Sequence, residues 1–368
     1  MSSTFALPPY RPPDFEAPSL LCAPIAKHAP APADGILPEN FHATSNLPEY
    51  VQLSRGRWVL CPESRMDAAI VVHGHELRVV EPRDVRKGEP VVVGRTENGE
   101  EGILVHADGF GPPAGCSDKF QFNIRRTRES PFSRDYDSLY ELLRYERENG
   151  GVIVWVLGPA VAFDKDSRDA MVDLIRNGYC QALLAGNALA THDLEAAVFG
   201  TGLGQDIYHQ RQHPLGHYNH LDVLNRARRH NSLGDAVKSM GIEDGIMASC
   251  LTQGVPVVLA GSIRDDGPLP DVTADAYESQ RRMRACARRA TTAIAVATQL
   301  HAIAFGNMLP SYQITPDGVR PVYFYIVDMS EFAVDKLANR GSMQATGITT
   351  NAQDFMVNVR RALVGNHD

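Results

Sequence analysis

The densest group of side chains that could do chemistry lies at residues 262–271, where the sequence is SIRDDGPLPD. It holds one guanidinium and three carboxylates, and a glycine and two prolines punctuate its backbone. A guanidinium can bind a substrate carboxylate through paired hydrogen bonds, and a carboxylate can bind an amine or a ribose, or transfer a proton. Because an ordinary surface turn seldom needs two prolines to hold four charges, the sequence favours a binding or catalytic loop formed by Arg264, Asp265, Asp266 and Asp271.

An alternation of strands and helices after residue 151 would position this loop. Short, continuous apolar runs predict buried strands, and helical spacing predicts the segments between them. The predicted strands cover 152–157, 182–185, 255–260, 293–297 and 322–327, and the predicted helices cover 166–178, 191–199, pieces of 217–252, 273–290 and 330–338. This alternation predicts an α/β fold with a doubly wound, mostly parallel sheet.

Polar and glycine residues follow each predicted strand. In an open parallel sheet, ligands bind beyond the carboxyl ends of the strands, so these positions form the candidate site. Asp328 directly follows an apolar run and could accept hydrogen bonds from both hydroxyls of an adenosine ribose. It could also cap a helix that begins near Ser330. The other residues at the strand ends are Gly158, Pro159, Gly186, Asn187, Ala188, Thr298, Gln299, Leu300 and His301.

Two further motifs do not predict the sites that they first suggest. The GTGLG run at 200–204 resembles a dinucleotide fingerprint, but Gln205 stands where the third glycine belongs, and the run follows a helix rather than a strand. We interpret it as the C-terminal turn of that helix. Histidines four residues apart can chelate a metal, but Pro214 and Gly216 interrupt the helix that would align them, so no metal site is expected. The histidines concerned are His209, His213, His217 and His220.

Composition excludes several classes of protein. The formal net charge of −8 is unfavourable for nucleic-acid binding, which depends on neutralising phosphates. The one basic stretch, 281–289, has the pattern of a solvated helix face. No apolar run reaches membrane-spanning length, so no membrane partner is expected. The six cysteines include no CxxC pair, which favours a reducing compartment and predicts a cytoplasmic protein.

The chain divides into three predicted parts. Residues 1–38 contain nine prolines and predict an extended arm, which either wraps a neighbouring subunit or forms a flexible tail. Residues 39–130 predict a small β-rich domain, with strands near 58–60, 69–72, 76–80 and 90–93. Residues 131–368 predict the α/β domain that carries the site, entered through a helix at 135–149.

The motifs in the α/β part resemble one family, the archaeal and cyanobacterial-type ornithine cyclodeaminases, formerly called the LOR/SDH region. This module also forms the C-terminal part of bifunctional arginine dihydrolase/ornithine cyclodeaminase proteins. A more distant resemblance, to deoxyhypusine synthase, implies an NAD-binding variant of the doubly wound fold that lacks GxGxxG. The segment 315–320 is an addition relative to the family. The resemblance rests on GPAV at 158–161, LAGNAL at 184–189, FGTGLG at 199–204, LAGSIRDDGPLPD at 259–271, GNMLP at 306–310 and RGSMQATG at 340–347.

The resemblance also implies which residues contact NAD. Position 351 is more usually Asp in the family, so Asn351 is a departure from its pattern. The implied contacts are Asn187, Ala188, Asp266, Thr298, Gln299, Leu300, His301, Asp328, Asn351 and Ala352.

The implied reaction converts L-ornithine to L-proline and ammonia through an α-imine, cyclisation and return of the hydride. Candidates for the base or for binding the δ-amine are Asp265, Asp271 and His192, and Arg264 is the candidate carboxylate clamp. The family further implies a homo-oligomer, either a dimer or a tetramer. Two alternatives stay open: an NAD-dependent deaminase, cyclase or dehydrogenase acting on another amino acid or polyamine in specialised metabolism, and a non-catalytic NAD-binding subunit.

Overall fold

Two small antiparallel sheets form the N-terminal region in the computed structural model, which describes residues 5–110, 132–265, 267–330 and 344–365. One sheet has the order β1-β6-β4-β5, and the other has the order β3-β2-β7. Their buried side chains form a shared core that includes Val51, Ile70 and Val92. The strands are β1 (Lys27–Pro30), β2 (Glu49–Ser54), β3 (Arg57–Leu60), β4 (Ala69–His73), β5 (Glu76–Val80), β6 (Pro90–Val93) and β7 (Ile103–Val105).

The proline-rich N-terminal arm packs against its own chain. Phe5 contacts the rings of Tyr145 and Tyr323, with centroids 5.3 and 6.4 Å apart, and Phe15 stacks on Trp58 at 5.9 Å. Strand β1 then adds the end of the arm to the larger N-terminal sheet. The prediction of a free, flexible tail is therefore wrong for residues 5–38, because the partly buried rings of Phe5 and Phe15 pack against both regions of the chain.

A six-stranded sheet in which all neighbouring strands are parallel forms the centre of the second region. Two short hairpins, β10–β11 and β14–β15, lie outside it. The strands of this region are β8 (Ile153–Leu157), β9 (Ala182–Gly186), β10 (Thr201–Gly202), β11 (Gln205–Asp206), β12 (Val257–Ala260), β13 (Thr292–Val296), β14 (Tyr312–Thr315), β15 (Gly318–Pro321), β16 (Tyr323–Asp328) and β17 (Gln344–Thr349).

The described residues form ten α-helices, of which all but α1 belong to this second region. The predicted helix at 330–338 falls almost entirely within 331–343, outside those residues. No described helix is both long and apolar enough to cross a bilayer. The helices are α1 (Pro18–Leu21), α2 (Phe132–Glu148), α3 (Lys165–Arg176), α4 (Asn187–Phe199), α5 (Asn219–Ala227), α6 (Leu233–Ser239), α7 (Ile246–Gln253), α8 (Ala276–Ala287), α9 (Gln299–Met308) and α10 (Ala352–Leu363).

The order of the large sheet is β12-β9-β8-β13-β16-β17. Counted along the chain, this is the order 3-2-1-4-5-6 of dinucleotide-binding sheets, and it reverses between β8 and β13. Alternate residues of each strand enter two cores: Trp155 and Leu157 belong to one face, and Val154 and Val156 belong to the other. The predicted α/β doubly wound, parallel sheet is confirmed, and so is the small β-rich region before it.

Four helices fill the connection from β9 to β12. The last of them, α7, packs on α3, and its chain then enters β12. The buried carboxylate of Asp193 on α4 accepts hydrogen bonds from the backbone N–H groups of Ile246 and Met247 at the start of α7, and it pairs with Arg168 at 2.7 Å. This carboxylate therefore fixes α4 relative to α3 and α7.

The basic stretch 281–289 is only partly a solvated face. Arg281 and Arg282 are exposed and pair with Glu278 on the same helix. Arg284, however, is 5% exposed and lies 2.7 Å from Glu81 of the β-rich region. The prediction of a wholly solvated face is therefore wrong, because one side of α8 carries an ion pair that joins the two regions.

The additional segment 315–320 contributes to a hairpin that packs beside this junction. Arg320 of β15 forms two hydrogen bonds, of 3.1 and 2.5 Å, with the buried carboxylate of Glu146 on α2. At the start of β14, the hydroxyl of Tyr312 donates to the backbone carbonyl of Cys61 in the β-rich region. The hairpin lies next to the amino end of β16, opposite the edge where the predicted site residues lie.

Candidate active site

The candidate site begins where the sheet order reverses, at the adjacent tips of β8 and β13. Gly158 follows β8, and a methyl group added to it would overlap the carbonyl oxygen of Ala297, which follows β13. Ala297 itself has a φ of +52°, which is uncommon for a residue with a side chain. The two tips are therefore held in close contact by a small residue and a strained one, as is frequent at functional sites.

Two helices begin at this edge without a side-chain cap. Helix α4 starts directly after β9 at Asn187, and α9 starts after Thr298, whereas α3, α6, α8 and α10 each have a capping side chain. Free N–H groups and the helix dipole make such ends favourable for an anionic group. Gln299 and Leu300, in the first turn of α9, are exposed.

His301 brings the tips of β9 and β13 together. Its Cε1 atom would lie 3.1 Å from a methyl group added to Gly186, so the imidazole covers the end of β9. Burial lowers the pKa of His301, although the charge of Asp265 partly opposes this effect. His301 is therefore held towards its neutral form beside the 262–271 loop.

Asn187 holds the 262–271 loop in place. Its side-chain oxygen accepts a hydrogen bond of 3.0 Å from the N–H of Leu269, and its amide nitrogen donates to the carbonyl of Gly267 at 3.3 Å. Asp265 closes a turn at the start of the loop by accepting from the N–H of Ser262 at 2.8 Å. Asp266 lies outside the described residues.

The two ends of the loop differ in the contacts of their charged side chains. At its start, the Ile263 and Arg264 side chains are exposed. At its end, the carboxylate of Asp271 accepts a hydrogen bond of 2.7 Å from the N–H of Leu233 at the start of α6. Arg264 is thus placed to meet a ligand, whereas Asp271 joins the loop to a helix.

Three of the predicted NAD contacts lie at the tips of β16 and β17. Asp328 ends β16, and its carboxylate accepts a hydrogen bond of 2.9 Å from the N–H of Ser330. Asn351 caps α10 by accepting from the N–H of Asp354 at 2.7 Å, and Ala352 is the first residue of that helix. Both proposed roles of Asp328 remain compatible with this position, since a carboxylate has several acceptor sites.

His192 lies on α4 beside the loop that follows β8. Its ring contacts Phe163 edge to face, with centroids 4.8 Å apart, and its Nδ1 atom lies 2.8 Å from the carboxylate of Glu195. Both side chains are buried. His192 is a predicted site residue whereas Glu195 is not, although its spacing of three residues from His192 on a predicted helix was a usable signal.

The GTGLG run is the C-terminal turn of α4, as predicted. Gly200 ends the helix in the left-handed conformation, with a φ of +67°. The N–H groups of Leu203 and Gly204 then donate to Glu195. No group of three or more potential metal ligands occurs in the described part of the chain. His209 and His213 are exposed on the loop that follows the turn.

The structure brings most of the predicted residues to one edge of the sheet. At this edge, uncapped helix ends can bind an anion, exposed Arg264 can bind a carboxylate, and His192 can transfer a proton. Asp271 is the exception, since its carboxylate points to α6. The residues at the edge are Asn187, Ala188, His192, Arg264, Asp265, Thr298, Gln299, Leu300, His301, Asp328, Asn351 and Ala352.

Comparisons with known proteins agree with this geometry. Residues 138–359 match the family profile of the C-terminal, Rossmann-fold domain of ArgZ-like arginine dihydrolases. The chain is 41% identical over 330 residues to an ornithine cyclodeaminase of Methanopyrus kandleri, covering 89% of this chain and 76% of that protein.

Two solved structures are also similar. The LOR/SDH protein of Methanococcus maripaludis S2 aligns with a TM-score of 0.82 and 33% identity, over 93% of this chain and 98% of that chain. The ternary complex of AgrE with ornithine and NAD+ aligns with a TM-score of 0.57 and 33% identity, over 93% of this chain and 46% of that chain. This chain therefore belongs to the ornithine cyclodeaminase family, which includes the C-terminal Rossmann-fold domain of the ArgZ-like proteins.

Proposed function

We propose that this protein is an NAD-dependent ornithine cyclodeaminase that converts L-ornithine to L-proline and ammonia. The observation that carries the proposal is that three features lie along the carboxyl edge of the sheet: Gly158 at the point where the strand order reverses, His301 against the end of β9, and the 262–271 loop bonded to Asn187. The identity of the substrate and the cofactor is supported by relatives named ornithine cyclodeaminase and by the complex of AgrE with ornithine and NAD+.

The residues present fit NAD. A side chain at Gly158 would overlap the carbonyl oxygen of Ala297, so only glycine lets the β8 and β13 tips approach each other at the point where the strand order reverses, which is where a dinucleotide binds in such sheets. The uncapped start of α9 suits the diphosphate, and Asp328 suits the adenosine ribose. Strands β9 and β16 are three strand spacings apart, about 14 Å, which allows one extended ligand to span from Asn187 to Asp328.

When bound, NAD supplies an acceptor that takes a hydride from ornithine and returns it, so the reaction involves no net oxidation. The exposed guanidinium of Arg264 binds the carboxylate of ornithine through paired hydrogen bonds. Asp265, partly buried at the same turn, binds an amino group. Asn187 keeps this loop closed over the strand tips and so holds the two groups in place.

The test is to incubate the purified protein with NAD and L-ornithine and to measure proline and ammonia. Equal amounts of the two products with no accumulation of NADH are expected. Accumulating NADH without proline would instead identify a dehydrogenase, and no turnover with ornithine, lysine or diaminobutyrate would overturn the proposal. Tight NAD binding without any product would favour the non-catalytic alternative.

The wider setting is part of the same proposal. A proline-forming enzyme belongs to arginine and ornithine metabolism, and unpaired cysteines at all five described positions fit a cytoplasmic location. A homo-oligomer is supported by a set of exposed large apolar side chains within a short stretch, which size-exclusion chromatography with light scattering would test. These side chains belong to Leu203, Tyr208, Leu215, Tyr218 and Leu221.

A further inference from the structure

Helix α4 carries a buried pair of ionisable side chains next to the candidate site. His192 is 7% exposed and Glu195 is completely buried. The Nδ1 atom of His192 lies 2.8 Å from Oε2 of Glu195. A buried imidazole beside a buried carboxylate has only a few compatible protonation states, so the surroundings of the pair decide which one is present.

Glu195 is surrounded by donors. Besides His192, its carboxylate accepts hydrogen bonds from the hydroxyl of Thr201 at 2.8 Å, from the N–H of Leu203 at 3.1 Å and from the N–H of Gly204 at 2.9 Å. Burial alone would raise the pKa of Glu195, but the hydrogen bonds from His192, Gly204 and Thr201 outweigh it and lower that pKa. Glu195 is therefore a carboxylate anion that only accepts hydrogen bonds.

An anionic Glu195 determines the tautomer of His192. Since the carboxylate has no proton to give, Nδ1 of His192 must carry the proton of this hydrogen bond. In the neutral imidazole, the Nε2 atom then has a free electron pair on the side of the ring away from Glu195. This is the state that a general base requires.

The position of the ring connects it to the point where the sheet order reverses. His192 packs on Phe163, which follows Gly158 and the short 3-10 turn Pro159–Val161 at the end of β8. The other titratable ring beside it in the described residues is that of His220 on α5, with centroids 6.2 Å apart. The imidazole thus lies between the turn that supports it and the loop that follows β8.

We propose that Glu195 is a positioning residue for proton transfer by Nε2 of His192, and that the GTGLG turn at 200–204 fixes Glu195. This inference rests on the proposed function. Nε2 accepts a proton from the α-ammonium group of ornithine and later gives it to the departing nitrogen, which leaves as ammonia. The imidazole is neutral again at the end of the cycle.

The decisive variant is Glu195→Gln, which keeps the size of the side chain but removes its charge. We expect kcat to fall about 100-fold, the usual scale for general acid–base catalysis, with little change in KM. Loss of the carboxylate also removes a stabilising partner of the imidazolium, so the acidic limb of the kcat/KM profile should move to lower pH. Glu195→Asp should recover part of the activity, and Glu278→Gln, at an exposed ion pair, is the matched control.

A fall in kcat with an unmoved acidic limb would overturn the proposal, because loss of folded protein alone produces that result. A second measurement needs no substitution at Glu195. The wild-type protein is labelled with [15N]histidine, and the NMR signals of His192 are assigned by their absence from the spectrum of His192→Asn. The neutral ring of His192 should carry its proton on Nδ1. A proton on Nε2 would also overturn the proposal. If the wild-type protein made no proline, the proposed function would fail separately, and the tautomer would still be decided.

Discussion

Two segments beside the candidate site contrast in how they use their polar groups. In the turn at 200–204, the N–H groups of Leu203 and Gly204 and the Thr201 hydroxyl are bonded to the buried Glu195. In the loop at 262–271, the charged group of Arg264 is exposed, and the loop is held by the Asn187 amide and, at its end, by the bond from Leu233 to Asp271. These polar groups of the turn are therefore already bonded within the protein, whereas the loop keeps charged groups available for a ligand.

The sequence alone gives a different view of how important these two segments are. The loop attracts attention because it holds four charges, and the turn appears to be only a failed dinucleotide fingerprint. In our proposal both segments serve the site, the loop by contacting the ligand and the turn by supporting Glu195. A buried carboxylate with several donors is as informative as an exposed cluster of charges, but its donors come together only when α4 ends in a tight turn.

The largest expected effect is a loss of unfolding free energy when the turn at 200–204 is altered. Gly204 has a φ of +75°, and a methyl group added to it would lie 2.5 Å from the carbonyl carbon of Gly216. Gly204→Ala should lower the free energy of unfolding by about 2–4 kcal/mol, because it combines left-handed strain with overpacking. Gly200→Ala is the control, since its φ of +67° imposes the strain but nothing lies within 4 Å. Equal losses in urea unfolding would show that the turn is not tightly packed.

Removing the charge of Arg264 from the loop should reduce catalysis and leave the free energy of unfolding almost unchanged. Replacing Arg264 by Ala removes a charged hydrogen-bond donor from an exposed position, so we expect kcat/KM for ornithine to fall about 10- to 100-fold. The free energy of unfolding should change by less than about 0.5 kcal/mol. Arg281→Ala, on the exposed side of α8, is the matched control. Equal kinetics for the two variants would remove Arg264 from substrate binding.

The sequence predicts the sheet better than it predicts the supports around the site. Five of the six parallel strands were predicted from continuous apolar runs, but β17 was missed because QATGIT is not such a run. Strand β1 was missed because its sequence, KHAP, has too few apolar residues to mark a strand. The role of Glu195 was missed because its donors Thr201 and Gly204 become neighbours only when α4 ends in a tight turn.

A smaller effect is expected where the loop is attached. Asn187→Ala removes both hydrogen bonds to the loop, which should make local opening easier by about 1–2 kcal/mol. Trypsin should then cleave after Arg264 about 5- to 30-fold faster under native conditions. Asn149→Ala, at an exposed helix end, is the control. An unchanged cleavage rate would mean that the loop is held by something other than the Asn187 amide.

The smallest effect is a pH dependence that belongs to the turn. The pKa of Glu195 is lower in the folded protein than its ordinary value of 4.5. Its ionised form therefore stabilises the fold above pH 4.5, and this stabilisation disappears as the pH falls through the lower, native pKa. The difference in unfolding free energy between the wild type and Glu195→Gln should be largest near pH 7 and should shrink below pH 4.5. A constant difference across urea titrations at these pH values would mean that Glu195 is not held as an anion, and the support that we assign to the turn would be lost.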